Sequence, residues 1–407
     1  MRASPVSSLL LLLAACGDEG PGYLGTAGQP VSADFVSLIP EITVRVGDDA
    51  TEHNFLCDSG SQLTFLDASS FPAFAPGKHP LDLSAFALTF PDYPGASFDA
   101  FGDDDTLAGI IGGDLLRHFA FTMDYAGGRV WLSDPYDPSA QAVEAGDEIR
   151  LPMAVRGGGS GFIPGCRNDC DIGLPATRIL VRATFEDVGQ PVWVMVDSGA
   201  STVVMSDALE SVLALDEDRP HLSGVRIVTP EGERPAVMTR VWRIDLGGGA
   251  SVDDVPVMLV PDWGVLESIS NEVGLPVNAL IGGSFLRYFL TTFDYQSGEL
   301  RLRRYRQPPV PADEFVGPAL SFARFNQDWF LREVYPDHDA FNDGLRPGDL
   351  IEEIDGMPLH GQPGEVIDAA LARFAIGDEV PMSWRRGTQT GTVEVLVEDF
   401  LPSYPAP

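Results

Sequence analysis

The chain has 407 residues, of which 44% are hydrophobic, so it is long enough to form two or three domains with cores of their own. Its formal net charge is −34, from 60 acidic and 26 basic residues, and Lys78 is the only lysine. This balance excludes nucleic-acid binding through charge, so no nucleic-acid partner is expected. The acidity fits solubility or a saline habitat and gives weak support to cationic substrates.

Residues 1–15 have the pattern of a targeting segment. Arg2 precedes an apolar run from Leu9 to Ala15, which is shorter than the roughly 20 residues that span a bilayer. The run ends in Leu-Ala-Ala-Cys, which resembles a bacterial lipoprotein box. That resemblance implies cleavage before Cys16 and lipidation of its thiol. The rival interpretation is an ordinary signal peptide followed by a stray cysteine.

Residues 16–34 contain five glycines and one serine and are predicted to be a flexible tether. Gly17 follows the lipidated cysteine, and by resemblance to known sorting signals this favours the outer membrane. The predicted location is therefore the bacterial cell envelope, with a lipid anchor on the periplasmic or the surface face. No later apolar run is long enough to cross a membrane.

The tripeptide Asp-Ser-Gly occurs twice, at Asp58 and at Asp197, and each copy is followed by Ile-Gly-Gly. Each copy ends a short apolar run rich in β-branched and aromatic residues, which predicts a strand running into a loop. The two Ile-Gly-Gly motifs are centred on Gly112 and Gly282. Two matched pairs indicate that two carboxylates are delivered to one site by a duplicated lobe.

The repeat continues along the chain, since Leu-Arg-His-Phe from Leu116 matches Leu-Arg-Tyr-Phe from Leu286. Met-Asp-Tyr at 123–125 likewise matches Phe-Asp-Tyr at 293–295. We therefore predict lobe one over 35–148 and lobe two over 149–306. The repeat is unequal, because 54 positions separate the two motifs in lobe one and 85 in lobe two, leaving 31 extra residues in lobe two.

This layout resembles the pepsin-like and retropepsin-like aspartic peptidases over roughly residues 35–305. The resemblance implies a mainly β, two-lobed β-barrel fold, with Asp58 and Asp197 as the catalytic residues. Ser59 and Ser198 are expected to hydrogen-bond across the lobe interface. The glycines of the motifs are expected to permit close backbone approach, a role assigned to Gly60, Gly199, Gly112 and Gly282.

Two adjacent carboxylates suit peptide hydrolysis, because like charges about 3 Å apart cannot both ionise easily and one keeps its proton. The ionised member then activates water and the protonated member polarises the substrate carbonyl. No metal or cofactor is needed. One alternative is a catalytically silent peptide-binding envelope lipoprotein, which would not require either acid. Another is that only lobe two is competent and pairs with a second chain.

The remaining cysteines fit an oxidising compartment. Cys166 and Cys170 lie in a Gly/Pro-rich loop and are interpreted as a disulfide. A metal site is the rival interpretation, but one Cys-x3-Cys supplies too few ligands. Cys57 aligns with Val196 of the repeat and is interpreted as a small buried hydrophobe.

No flap sequence of the aspartic-peptidase kind is obvious in either lobe. In lobe two, Arg226–Arg234 has the pattern of a hairpin with a Pro-Glu-Gly tip. In lobe one, the corresponding hypothesis is a hairpin over Leu88–Gly95, with Tyr93 as the flap tyrosine.

The Pro-rich segment 307–315 is predicted to be a stiff linker. After it, the run Gly344–Gly356 closely resembles the signature of bacterial PDZ domains, which implies a small α+β PDZ domain over 316–402. The resemblance implies a groove for an extended peptide, which we place between a Trp329–Val334 strand and a Glu365–Phe374 helix. The region Phe325–Asp328 lacks the expected carboxylate-binding loop, so the domain is either a peptide-binding module or a structural module packed on the peptidase.

Overall fold

The computed structural model describes residues 20–48, 50–101, 107–138, 145–186, 188–213, 219–229, 232–311 and 314–404. The predicted signal peptide and the lipidation residue Cys16 lie outside these ranges. No helix among the described residues combines the length and apolar character needed to span a bilayer.

The elements of the first third of the chain are β1 (Leu24–Gly25), β2 (Val31–Ser32), β3 (Asp34–Val36), β4 (Ile39–Val46), β5 (His53–Asp58), β6 (Phe65–Asp67), β7 (Gly77–Ala85), β8 (Leu88–Phe98), β9 (Gly109–Gly112), α1 (Gly113–Leu116), β10 (Ala120–Asp124) and β11 (Arg129–Ser133).

The middle of the chain forms β12 (Ala145–Pro152), β13 (Ala154–Arg156), β14 (Gly159–Phe162), β15 (Asp171–Leu174), β16 (Arg178–Phe185), β17 (Val192–Val196), β18 (Val203–Met205), α2 (Asp207–Leu213), β19 (His221–Thr229), β20 (Gly232–Asp245), β21 (Ser251–Leu259), α3 (Val265–Val273), β22 (Val277–Ile281), α4 (Gly283–Leu286), β23 (Phe289–Asp294) and β24 (Glu299–Tyr305).

The C-terminal unit contains β25 (Val316–Gly317), β26 (Leu320–Phe325), β27 (Asp328–Val334), α5 (Asp339–Asn342), β28 (Leu350–Ile354), β29 (Met357–Pro358), α6 (Gly364–Leu371), β30 (Glu379–Arg386), β31 (Gln389–Leu396) and β32 (Glu398–Asp399). The prediction of a mainly β chain is confirmed.

The two lobes share one pattern of strand pairing around the Asp-Ser-Gly loops. In lobe one, β5 runs parallel to β9, β6 runs parallel to β8, and β6 and β9 are antiparallel. In lobe two, β17 and β22, β18 and β21, and β18 and β22 pair in the same three ways. The duplication read from the sequence is therefore a duplication of structure.

A six-stranded sheet joins the lobes, in the order β12-β24-β23-β10-β11-β2. Strands β10 and β23 meet at its centre in antiparallel register, with Thr122 opposite Thr292 and their hydroxyls 2.8 Å apart. These threonines occupy equivalent positions of the repeat, so an approximate twofold axis passes between them. One large apolar core extends from both lobes into this sheet.

Two predicted boundaries need correction. The segment 16–34 is not a free tether over its described part, because β1 pairs with β8 and β2 pairs with β11. Tyr23 also packs against Phe119, with ring centroids 5.5 Å apart. The lobe boundary at 148/149 falls inside β12, which pairs with β24 along its length. Periodicity did not reveal these strands, because their partners are distant in sequence.

The C-terminal unit has an apolar core of its own, which packs on a sheet with the strand order β26-β27-β28-β30-β31. The predicted strand at Trp329–Val334 is β27, and the predicted helix is α6, which ends at Leu371. However, β27 is not an open edge for a peptide, because it pairs with β26 on one side and with β28 on the other. The edge of this sheet on that side is β26.

The C-terminal unit is also packed against lobe two. Ala319, Tyr335 and Leu401 are buried in the same apolar cluster as residues of lobe two. At the end of the predicted linker, Glu314 forms a two-pronged ion pair with Arg287, whose exposed fraction is 2%. The linker segment thus ends in a fixed contact with the peptidase lobes.

Candidate active site

The two Asp-Ser-Gly loops meet at the lobe interface, directly after β5 and β17. The backbone N–H of Ser59 donates to Ser198 Oγ over 2.8 Å, and the N–H of Ser198 donates to Ser59 Oγ over 3.0 Å. Ser198 Oγ donates in turn to the carbonyl of Cys57 over 2.8 Å. Both serines are fully buried, so these bonds tie the two loops together away from water.

Each aspartate is oriented by the amides of its own loop. Asp58 Oδ1 accepts from the N–H groups of Gly60 and Ser61 over 2.7 and 3.0 Å. Asp197 Oδ1 accepts from the N–H of Gly199 over 2.8 Å. These bonds keep one oxygen of each carboxylate occupied and leave the other for its partner or for substrate.

The structure brings the two carboxyl groups together. The Asp197 carboxyl group lies against Gly60 of the opposite loop, and the Asp58 carboxyl group lies against Gly199. A Cβ placed on Gly60 would overlap the Asp197 carboxylate, and one on Gly199 would overlap that of Asp58. Glycine is therefore required at both positions by close approach across the interface.

The glycines of the second motifs serve a different contact. A Cβ on Gly112 would overlap the backbone of Leu63, and one on Gly282 would overlap the carbonyls of Ala200 and Thr202. In each lobe, the strand that runs into the Gly-Gly motif (β9 or β22) thus passes directly beneath the Asp loop, as the sequence predicted.

The environment of the pair favours one shared proton. Desolvation raises the pKa of Asp197 well above its ordinary value, and the nearby charge of Asp58 raises it further. The Gly199 amide and the charge of Arg178 act in the opposite direction. Both side chains still reach solvent in part, so the site is open to a water molecule.

Arg178, at the start of β16, is a site residue that sequence reasoning missed. Its guanidinium donates to the carbonyl of Gly60 in the opposite lobe and forms an ion pair with Glu272 of α3 at 3.3 Å. Thr177 contacts Gly113, and Leu38 contacts Gly283 in the same way, so Thr177 and Leu38 hold equivalent positions in the repeat. The next residue in lobe one is Ile39, which is therefore the counterpart of Arg178. Because the repeat does not duplicate this arginine, nothing in the sequence singled it out.

Tyr125 and Tyr295 lie beneath the pair and were visible in the repeat without an assigned role. Tyr125 donates to the carbonyl of Leu38 over 3.2 Å. The Tyr295 hydroxyl is buried without a partner among the described residues. Burial raises the pKa of Tyr295, and the charges of Asp58 and Asp197 raise it further, so this hydroxyl stays neutral.

The side chains beside each aspartate form an apolar wall. Because alternate residues of a strand share a face, Leu56 lies on the face of Asp58, and Met195 lies on the face of Asp197. We call these surfaces the dyad faces. The dyad face of lobe one continues through Phe65 and Ile110, which are buried with Ile163.

The dyad face of lobe two is formed by Met195, Val204 and Leu280. Two elements of lobe two share one apolar cluster with it, the helix α3 and the hairpin β19–β20, and the C-terminal unit adds residues to the same cluster. The apolar residues that the two elements contribute are Leu266, Ile269 and Val273 from α3 and Leu222, Val225 and Ala236 from the hairpin.

The hairpin predicted around Arg226–Arg234 exists as β19–β20, with Thr229 opposite Gly232. The predicted flap hairpin of lobe one is wrong. Leu88–Gly95 lies within the single strand β8, and Tyr93 is 4% exposed, so it does not lie at a hairpin tip. Lobe one therefore has no strand equivalent to β19 among its described residues, which accounts for part of the unequal spacing of the repeat.

Cys166 and Cys170 form a disulfide with Cα atoms 5.6 Å apart, in the loop that joins β14 and β15. Cys57 is a free, buried cysteine, and burial raises the pKa of its thiol. A cavity of about 650 Å³ lies near the N-terminal segment, between Tyr23, His118 and Tyr295. Neither aspartate lines this cavity, although Tyr295 borders both the cavity and the aspartate pair.

A family model described as aspartyl protease (Asp_protease_2) matches residues 181–285, which contain the second Asp-Ser-Gly motif and its Gly-Gly partner. No curated protein matches the chain.

Several solved structures are similar to parts of the chain. An aspartic proteinase from Irpex lacteus is 13% identical, with a TM-score of 0.40, covering 68% of this chain and 97% of that one. A retropepsin-like aspartic protease from Rickettsia conorii is 18% identical, with a TM-score of 0.25, covering 39% and 91%. An aminopeptidase N family protein from Idiomarina loihiensis is 24% identical, with a TM-score of 0.20, covering 23% of this chain and 15% of that protein.

The duplicated strand pairing agrees with the predicted aspartic-peptidase fold class, which is confirmed. The family match and the paired Asp-Ser-Gly loops identify the chain as an aspartic-type peptidase, a hydrolase acting on peptide bonds.

Proposed function

We propose that this chain is an aspartic endopeptidase in which Asp58 and Asp197 act together as the catalytic pair. The observation that carries the proposal is the crossed approach of the two loops, in which each carboxyl group lies against the glycine of the opposite Asp-Ser-Gly motif. Burial and the charge of Asp58 raise the pKa of Asp197, which agrees with this approach. Such a pair holds one proton between its members over the pH range that separates its two macroscopic pKa values.

The chemistry follows from that shared proton. The ionised carboxylate accepts a proton from a water molecule as the water attacks the peptide carbonyl carbon. The protonated carboxyl hydrogen-bonds the carbonyl oxygen, and a proton is then delivered to the leaving amine. The two groups titrate as a unit, so neither aspartate has a fixed role as acid or base.

The hairpin β19–β20 is proposed to act as the flap. Its apolar residues Leu222, Val225 and Ala236 belong to the same apolar cluster as the dyad face of lobe two, which supports a position over one side of the cleft. A cover of this kind would exclude bulk water from the scissile bond and strengthen the electrostatic interactions there.

Asparagine substitutions test the catalytic pair. Asp58→Asn and Asp197→Asn each retain the oxygen that accepts the loop amides but remove the shared proton. We expect peptide hydrolysis by the soluble form, residues 17–407, to fall on the order of 10⁴-fold or more in each variant, with unfolding transitions like the wild type. A statine-type inhibitor should block the wild type. Activity within about tenfold of the wild type in either variant would contradict the assignment.

For the C-terminal unit, we propose a PDZ domain that assists substrate or partner binding. The Gly344–Gly356 signature supports this, and the outer edge of β26 is the place where an extended peptide would add to its sheet. The apolar cluster shared with lobe two supports a buttressing role as well. Truncation after Arg306 separates these roles: loss confined to folded protein substrates indicates binding, and equal loss on a short peptide indicates buttressing.

We also propose a lipid anchor on Cys16, with the enzyme held at the bacterial envelope. The apolar run that ends in Leu-Ala-Ala-Cys supports it. Cys16→Ala should release the protein from membranes or block its processing. If the variant fractionates with membranes and migrates as the native protein does, the anchor proposal is wrong.

A further inference from the structure

The hairpin β19–β20 makes a specific contact with the C-terminal unit. Strand β19 is the last strand of the lobe-two sheet, so one of its edges has no strand partner there. At that edge, the backbone N–H of Arg226 donates to Glu333 Oε1 of β27 over 2.8 Å. A carboxylate of one unit thus occupies the open edge of the hairpin of the other.

The hairpin is shaped to accept this contact. Its register with β20 shifts between Leu222 and Val225, which bends the edge strand. Gly224 lies in this bend with φ +81°, and a Cβ there would come within 2.8 Å of Pro336 Cδ. The bend and the absence of a side chain let the C-terminal unit approach the hairpin backbone.

The Glu333 side chain is held in place by residues of its own unit. Its Oε2 accepts hydrogen bonds from the hydroxyls of Ser321 and Tyr335, both over 3.1 Å. Because both donors belong to the C-terminal unit, that unit fixes the direction of the carboxylate. An oriented charged acceptor forms a stronger bond than a freely moving one.

The neighbouring ion pairs are weaker. Arg332 lies 3.4 Å from Glu233 of β20, and Arg226 lies 3.1 Å from the same carboxylate. The side chains of all three are between 42% and 57% exposed, so solvent screens these pairs. Nearer the base of the hairpin, Arg240 of β20 donates to the carbonyl of Leu401 over 3.0 Å. Glu333 is therefore the polar link that the C-terminal unit makes to the edge strand β19, beyond the bend.

We infer that Glu333 is a positioning residue, which holds the hairpin over the dyad face of lobe two. This inference rests on the proposed function, in which the hairpin is the flap. If the hairpin is correctly placed only part of the time, the apparent affinity for substrate falls by that fraction, while the chemistry of the bound complex is unchanged. Loss of Glu333 should thus raise KM and leave kcat nearly constant.

The test compares Glu333→Ala and Glu333→Gln with Glu353→Ala, a control at an exposed position of the adjacent strand β28. KM and kcat are measured with a short peptide, and amide hydrogen exchange is followed over β19. Loss of one hydrogen bond to a charged group predicts a rise of roughly tenfold in both KM and the exchange rate of β19 for Glu333→Ala. The glutamine variant keeps one acceptor oxygen for Arg226 but loses the negative charge, so it should show an intermediate rise of about threefold.

The inference is overturned if Glu333→Ala leaves the exchange of β19 unchanged, or if Glu353→Ala has the same effect on KM. A fall in kcat with unchanged KM would also overturn it. If the wild-type protein cleaves no peptide, the proposed function fails, but the exchange comparison still decides whether Glu333 holds the hairpin. Exchange over β5 in lobe one should be the same in all variants.

Discussion

The two lobes have the same frame around their aspartates and different covers on their dyad faces. The strand pairings that carry Asp58 and Asp197 agree one for one. In lobe two the dyad face is covered by α3 and a hairpin. In lobe one it is covered by Ile163 and Ile172, which flank the disulfide loop of the β14–β15 hairpin. The repeat thus duplicates the catalytic frame, while the parts that meet a substrate differ between the lobes.

The first prediction concerns the two serines, which occupy equivalent positions but make different numbers of hydrogen bonds. Ser198 Oγ accepts from Ser59 and donates to Cys57, while Ser59 Oγ accepts from Ser198. Each buried group left unpaired costs about 1–3 kcal/mol, so Ser198→Ala should reduce the free energy of unfolding by about 2–6 kcal/mol and Ser59→Ala by about 1–3 kcal/mol. Urea unfolding and kcat/KM should rank the variants in this order, and the reverse order would contradict the bond pattern.

The second prediction concerns the covers. Ile163 is 1% exposed and packs with the dyad face of lobe one, and Ile269 of α3 packs with that of lobe two. Ile163→Ala and Ile269→Ala should each destabilise the protein by about 2–5 kcal/mol.

The same two variants should also change the side-chain preference, each on a different side of the scissile bond, by opening space for larger apolar groups. Cleavage of a peptide library measures the effect. A shift on the same side for both variants would mean that the covers do not belong to separate lobes of the cleft.

The third prediction uses equivalent positions after the Gly-Gly motifs, Asp114 in lobe one and Ser284 in lobe two. Asp114 accepts from Thr64 Oγ1 over 2.7 Å, and burial raises its pKa to about 6. Since the folded pKa lies above the unfolded one, its contribution to stability is present below about pH 4 and is lost as pH rises through about 6, a change of about 3 kcal/mol.

Asp114→Asn should remove that dependence, so the free energy of unfolding at pH 7 minus that at pH 4 should become more positive by about 2.4 kcal/mol. Ser284→Ala should leave the pH dependence unchanged, because a serine does not titrate in this range. Denaturant unfolding at both pH values is the measurement. An unchanged pH dependence in Asp114→Asn would mean that another group is responsible.

The smallest effect is expected at the surface of the lobe-one cover. Lys78 pairs with Asp169 of the disulfide loop at 2.9 Å, but the two side chains are 39% and 86% exposed. Lys78→Ala should therefore cost about 1 kcal/mol or less, and the difference should vanish at high salt. Thermal unfolding at two ionic strengths tests this. A larger, salt-independent loss would show that the contact holds the cover in place.

Much of the site was predictable because it depends on local patterns that occur twice. An apolar strand that ends in Asp-Ser-Gly determines a loop, and the glycines permit the approach that Gly60 and Gly199 make across the interface. Tyr93 was misplaced because an alternating apolar strand does not reveal whether its partners bury it. The groove beside Trp329 was misplaced for a related reason: β26, which lies along that edge, is itself a short strand with no marked pattern.

The sequence by itself determined the catalytic frame, since spacing, glycine and strand period are properties of neighbouring residues. Only the tertiary structure decided which elements cover each dyad face, where Arg178 donates, and that Glu333 meets the edge of β19. These features depend on strand edges and apolar faces that find partners far along the chain. A single sequence shows that such edges and faces exist, but the packing of the whole molecule selects the partners.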